Sequence, residues 1–137
     1  MTDFLRLPKS ILKRLALVGL VLFYTYVGIT HFTNPEFFVA IVPPYLPAAL
    51  ALVYISGVAE ILGGLGVIPF ATRKWAGWGL VALLFAVYPA NIHMAMNPDD
   101  FPEAGGATPL YIRLAMQFVL IAWAWWATQP DAEAASG

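Results

Sequence analysis

The chain contains no cysteine. That absence excludes a disulfide framework, thiolate metal ligation and thiol–disulfide exchange by this chain. Any redox work must therefore run through a bound cofactor. Charge is also scarce: Asp, Glu, Lys and Arg make up 11% of the 137 residues, whereas hydrophobic residues make up 61%. A soluble domain carries about a quarter charged residues. Together with a mean hydropathy of +0.75, this describes a membrane protein. A net charge of −1 gives no footprint for nucleic acid, and membrane orientation accounts for the few basic residues better than phosphate contacts do.

What is present is four apolar runs, 15–32, 48–68, 75–96 and 110–126. Each is long enough to cross roughly 30 Å of hydrocarbon at about 1.5 Å per residue. The expected fold is all-α, a transmembrane four-helix bundle over residues 1–130, followed by a disordered C-terminal tail at 131–137. The first run has a basic start, as a signal peptide does. Its apolar part is long and no small-residue cleavage site follows it, so it is read as retained. Arg6, Lys9, Lys13 and Arg14 precede the first span, and Arg73 and Lys74 lie between the second and third. The loop 33–47 has no basic residue, and the loop 97–109 carries Asp99, Asp100 and Glu103. By the positive-inside rule, the N- and C-termini are expected to be cytoplasmic.

After the first span, Asn34-Pro35-Glu36 reads as a helix start, with Asn as N-cap, Pro at the first helical position and an acid in the first turn. The expectation is a short interfacial helix that lays Phe37, Phe38 and Ile41 on the membrane surface. The prolines of Val42-Pro43-Pro44-Tyr45-Leu46-Pro47 must end it. Gly57, Gly63, Gly64, Gly66, Gly77 and Gly79 offer close helix–helix approach, and Trp75, Trp78, Trp123, Trp125 and Trp126 fit an aromatic belt.

Glu60 stands out as the only acidic residue of the second run. About ten uncharged positions flank it on either side, so a spanning helix puts its carboxyl near mid-bilayer, where an ionisable group costs roughly 3 kcal/mol or more. Helical spacing puts Tyr24, Gly28 and His31 on one face of the first helix and Ser56, Glu60 and Gly63 on one face of the second. Arg113 and Gln117 share a face of the fourth. In the third, Asn91 and His93 point to nearly opposite sides.

The Glu60 carboxyl lies roughly 18 Å deep and leans outward, toward Asn91, Gln117 and Tyr24. Two readings of it stand: a neutral acid bonded to Asn91 or Gln117 that specifies packing, or a group that exchanges a proton with a ligand. Arg113 is nearer the surface, suited either to snorkelling or to ligand binding. His31 and His93 fit amphipathic interfacial positions better than metal or haem ligation, and no metal is expected. The candidate site is therefore Glu60 as the proton-handling residue, with Tyr24, His31, Ser56, Asn91, His93, Arg113 and Gln117 as ligand contacts.

These residues sit in motifs that resemble the DoxX-like membrane proteins over nearly the whole chain. The matching segments are Gly28-x-x-His31-Phe32-x-x-Pro35-x-x-Phe38, Val42-Pro43-Pro44-Tyr45-Leu46-Pro47, and Ser56-Gly57-x-x-Glu60-x-x-Gly63-Gly64. They continue with Arg73-x-x-Ala76-Gly77, Pro89-Ala90-Asn91-x-His93-Met94, and Arg113-Leu114-x-x-Gln117 followed by Trp123-Ala124-Trp125. Ala115 departs from the proline of the family pattern, and Lys74 from a common second arginine.

The resemblance implies a multi-pass four-helix bundle in the bacterial plasma (inner) membrane. It also implies a component of a quinone-linked or oxidative-stress redox system, since some such proteins are described as subunits of quinone-dependent oxidoreductases. A quinone or another small polar-headed ligand is the expected cofactor class, and a redox-enzyme subunit the expected partner. The other reading is a non-enzymatic binding or transport module for a small solute or proton, or an assembly platform. Four spans are few for alternating access, so transport would call for a homo-oligomer.

Overall fold

The computed structural model describes residues 2–102 and 105–130 of the chain. The elements are α1 (Thr2–Leu5), α2 (Ile11–Thr33), α3 (Pro35–Ile41), α4 (Ala49–Gly66), α5 (Phe70–Met96) and α6 (Ala107–Thr128), with a 3-10 turn at Pro98–Asp100. There is no strand among the described residues. The expected disordered tail, 131–137, lies outside them.

Helices α2, α4, α5 and α6 are each long and apolar enough to cross a membrane, so the chain is a multi-pass, all-helical membrane protein. Large apolar side chains such as Leu22, Ile55, Leu62, Phe85 and Phe118 face outward, as lipid contact requires. Neighbours in space run α2, α4, α5, α6, and α6 closes back on α2. One end of the bundle holds Lys13, Arg14, Arg73 and Lys74 and is called the basic end here. The other, with Glu36, Asp99 and Asp100, is the acidic end.

The basic residues are not all outside the helices, as the sequence had suggested. Ser10 caps α2 by accepting from the Lys13 backbone N–H, so Lys13 and Arg14 belong to its first turns. Lys13 is buried and its Nζ donates to the Gln129 carbonyl at 2.8 Å. Pro69, extended at ψ 136°, starts α5 directly after a short turn. Arg73 and Lys74 thus fall inside α5. Arg73 is 6% exposed, and it donates to the carbonyls of Val67 (2.8 Å), Ile68 (3.0 Å), Leu5 (2.7 Å) and Arg6 (3.1 Å). One guanidinium therefore ties the N-terminal segment to the α4–α5 turn. Pro89 does not interrupt α5, which runs unbroken for 27 residues.

Buried residues follow heptad-like stripes: Leu17, Leu20, Tyr24, Gly28 and His31 on α2, and Val53, Gly57, Glu60 and Gly64 on α4. The α4 stripe is rotated from the expected Ser56–Glu60–Gly63 face, because Gly57 rather than Ser56 is the point of closest approach. A Cβ on Gly28 would sit 2.8 Å from the Gly57 carbonyl oxygen and 2.6 Å from the Ile61 side chain. A Cβ on Gly57 would sit 2.7 Å from the His31 Cβ and 3.0 Å from the Gly28 carbonyl oxygen. The two backbones touch here. Gly79, expected to serve the same purpose, faces open space.

Asn34 does precede α3 and Pro35 does open it, but the Asn34 side chain makes no capping hydrogen bond. The apolar face of α3 turns partly into the bundle. Ile41 packs against the Met94–Ala95–Leu110 cluster, and Phe38 reaches α2. Trp75, Trp78, Trp125 and Trp126 are exposed at the basic end. Trp123, expected in the same belt, turns inward instead: its Nε1 donates to the Ala16 carbonyl at 3.0 Å and its ring covers Gly19.

Candidate functional site

The contact of the Gly28 and Gly57 backbones brings α2 and α4 close enough for His31 to meet Glu60. His31 Nδ1 lies 3.1 Å from Glu60 Oε2, and the two residues are 6% and 9% exposed. The α4 helix starts at the acidic end, so the Glu60 side chain leans that way, toward the last turn of α2. His31 is held from two sides. Its ring stacks on Phe38 with centroids 3.8 Å apart and planes at 17°, and Nδ1 lies 2.8 Å from the Val27 carbonyl oxygen. A carbonyl can only accept, so Nδ1 carries a hydrogen in that bond. That N–H points at Val27, and Glu60 Oε2 sits beside it without an aligned hydrogen bond.

Three further oxygens on α2 and α4 share that condition. Tyr24 Oη, Thr25 Oγ1 and Ser56 Oγ are buried and have no hydrogen-bond partner. Tyr24 is 2% exposed and within electrostatic reach of Glu60. Ser56 precedes Glu60 by one turn on the acidic side, and Thr25 Oγ1 lies against Gly64, one turn toward the basic side. Buried polar atoms without partners are uncommon and costly. Glu60 Oε2, Tyr24 Oη and Thr25 Oγ1 are three such atoms close to the contact of α2 with α4, and a small hydrogen-bonding group would satisfy them.

Asn91 and Gln117 were expected beside Glu60; the structure pairs them with each other. Asn91 Nδ2 donates to Gln117 Oε1 at 3.0 Å, and Gln117 Nε2 donates to the Leu84 carbonyl at 2.8 Å. This relay clasps α5 to α6, whereas Glu60 turns to α2. A Gln117→Leu variant should lose both bonds and about 1 to 2 kcal/mol of stability, read from unfolding in detergent micelles. A melting curve identical to wild type would show that the amide clasp is not a stabilising element.

Asn91 and His93 diverge as helical geometry requires. His93 faces the α5–α6 connection, where Asn97 Nδ2 lies 3.3 Å from its Nδ1 and Phe101 meets its ring edge-on. Arg113 is exposed on α6 and makes no ion pair among the described residues, although Gln117 one turn on is buried. Neither joins the Glu60 group. No cluster of three or more His, Asp or Glu residues able to hold a metal occurs among the described residues.

Sequence reasoning placed His31 at the interface and overlooked Thr25 and the Phe38 stack. A signal for the meeting of His31 with Glu60 was present: Tyr24 and His31 lie seven residues apart on the same face as Gly28, and a second glycine precedes Glu60. Two small residues facing each other would have docked α2 on α4. Two cavities, of about 520 and 190 Å³, lie at the basic end; the first is lined by residues including Arg73, Lys74 and Gln129, the second by Val21 and Val67 among others. The Glu60 seam lines neither.

The family model of a domain of unknown function, DUF8561, matches residues 20–128, the segment that contains the whole seam. No curated protein and no solved structure matches the chain.

Proposed function

We propose, for a chain that belongs to this DUF8561 family, a membrane component of a quinone-linked or oxidative-stress redox system whose α2–α4 seam binds the polar head of a quinone-like ligand. The observation that carries the reading is the His31–Glu60 contact at 3.1 Å, close to the unpartnered oxygens of Tyr24 and Thr25. A ligand carbonyl or hydroxyl would give those atoms the partners they lack. Glu60 would exchange a proton with it, while His31, fixed by Val27 and Phe38, orients the carboxyl. The resemblance to DoxX-like proteins supports the redox setting. With no cysteine in the chain, electrons would come from a partner subunit through a bound cofactor. The basic residues favour cytoplasmic termini in a bacterial plasma membrane, with α3 at the opposite interface.

Purification in mild detergent tests this. Wild type should retain quinone, and Glu60→Gln or His31→Gln should lower retention about tenfold, the equivalent of one hydrogen bond between neutral groups. No quinone on the wild type, or equal retention by Glu60→Gln, would count against the reading. Infrared difference spectra give a second check: the resting carboxyl should show a protonated-acid band that vanishes in Glu60→Gln. A carboxylate band vanishing in its place would refute a protonated resting Glu60.

A second reading is favoured by the unpartnered Glu60 Oε2 and the unpartnered Thr25 Oγ1, which lies against Gly64 one turn along α4: a proton or small-solute binding or transport module, in a homo-oligomer. It predicts a proton leak in proteoliposomes that Glu60→Gln abolishes, without quinone.

A further inference from the structure

We infer that the cavity of about 520 Å³ at the basic end is a binding site for a phosphate-bearing anion, supplied by the head group of an anionic phospholipid. The polar lining of the cavity includes Arg73, Lys74, Thr128 and Gln129, and its apolar walls include Phe70 and Trp75. Its volume falls within the range of roughly 300 to 1,000 Å³ typical of small-molecule sites.

The donors point to an anion. A guanidinium has five N–H groups, and Arg73 commits four to the carbonyls of Val67, Ile68, Leu5 and Arg6. One Nη1–H remains. Carbonyls are neutral, so they hold the guanidinium rigidly without cancelling its charge, and no carboxylate among the described residues pairs with Arg73 or Lys74. Gln129 supplies an independent observation: its side-chain Nε2 is buried without a partner, while its backbone carbonyl accepts from Lys13. Thr128 adds no donor, because its Oγ1 donates to the Ala124 carbonyl at 2.6 Å. A fixed cation, an unpartnered amide donor and an exposed lysine at the rim suit an oxyanion that accepts several hydrogen bonds.

Position selects the source. The cavity lies where the start of α2 and the end of α6 meet the start of α5, beside Trp75, which is 73% exposed, and near exposed Trp126. Such tryptophans sit at head-group level, and basic pockets between spans bind anionic lipid head groups. The apolar walls of Phe70 and Trp75 would receive the glycerol and first acyl carbons. A free phosphate would use the same donors and leave those walls bare.

The experiment is native mass spectrometry of the full chain in mild detergent, with phosphatidylglycerol or phosphatidylcholine of identical acyl chains, and separately with inorganic phosphate. Wild type should retain one phosphatidylglycerol in preference to phosphatidylcholine. Lys74→Gln should reduce that retention about fivefold, the effect of one surface cation. Gln129→Met should also reduce it, and Arg113→Gln, an exposed cation on α6 outside the cavity, should not. Lys74 is exposed, so its variant tests binding without the folding loss that Arg73 variants risk. Retention of phosphate in place of lipid, lost in the same variants, would keep the anion site and assign it a soluble source. Equal retention of both lipids with no phosphate bound, or equal loss in Lys74→Gln and Arg113→Gln, would overturn the inference.

Discussion

A Gly57→Val substitution should separate α2 from α4 and cost about 3 kcal/mol, the upper part of the usual range for overpacking. A Cβ at this position would sit 2.7 Å from the His31 Cβ and 3.0 Å from the Gly28 carbonyl oxygen. The second of these is backbone and cannot rotate away. Valine adds two methyl groups, and relief comes only from moving the helices apart, which also opens the His31–Glu60 contact. Gly79→Val is the matched control. A Cβ on Gly79 would meet nothing within 4 Å, so its variant should stay within about 0.5 kcal/mol of wild type. Tryptophan fluorescence during thermal unfolding in detergent reads both. Equal melting temperatures for the two variants would show that the backbones do not touch at Gly57.

Arg73→Met should be at least as damaging, for an electrostatic reason. It removes the side-chain donor that the carbonyls of Val67, Ile68, Leu5 and Arg6 share and leaves those acceptors in a partly buried setting. Losing hydrogen bonds to a charged donor costs about 1.5 to 3 kcal/mol each when taken singly, and these four act as a unit, so a total of about 3 kcal/mol or more is expected. The loss should also be local. The segment through Leu5 and Arg6 would come away from the α4–α5 turn, and trypsin should cut after Arg6 and Lys9 faster than in wild type. Arg73→Lys should recover part of the stability, because an ammonium has three donors and no planar fork to span four carbonyls. Unchanged trypsin cleavage in Arg73→Met would show that the segment is held by other contacts.

Both predictions rest on features whose residues were visible in the sequence and whose partners were not. The number of spans and their approximate limits follow from composition, because the cost of placing polar groups in hydrocarbon is local to each segment. Glu60 announces itself for the same reason. Helical periodicity also separated Asn91 from His93, and α5 carries them to different surroundings as that periodicity requires. The failures are equally specific. Lys13 and Arg73 look like loop charges that orient the chain, yet both are buried within helices because backbone carbonyls at the basic end accept hydrogen bonds from them. Asn91 and Gln117 look like ligands for Glu60, yet an amide pair can satisfy itself, and theirs does.

From the order of amino acids alone follow a four-span membrane protein, one carboxyl at depth and a small set of polar side chains able to meet it. Each of those conclusions depends on a transfer cost that a residue incurs whatever its neighbours are. It takes the packed bundle to pair Glu60 with His31 and Asn91 with Gln117, and to leave Arg113 and His93 apart from both. Those outcomes depend on which helices are adjacent and how each is rotated. The backbone contact of Gly28 with Gly57 sets both for α2 and α4, and a glycine shows in sequence that close approach is allowed without showing which helix makes it.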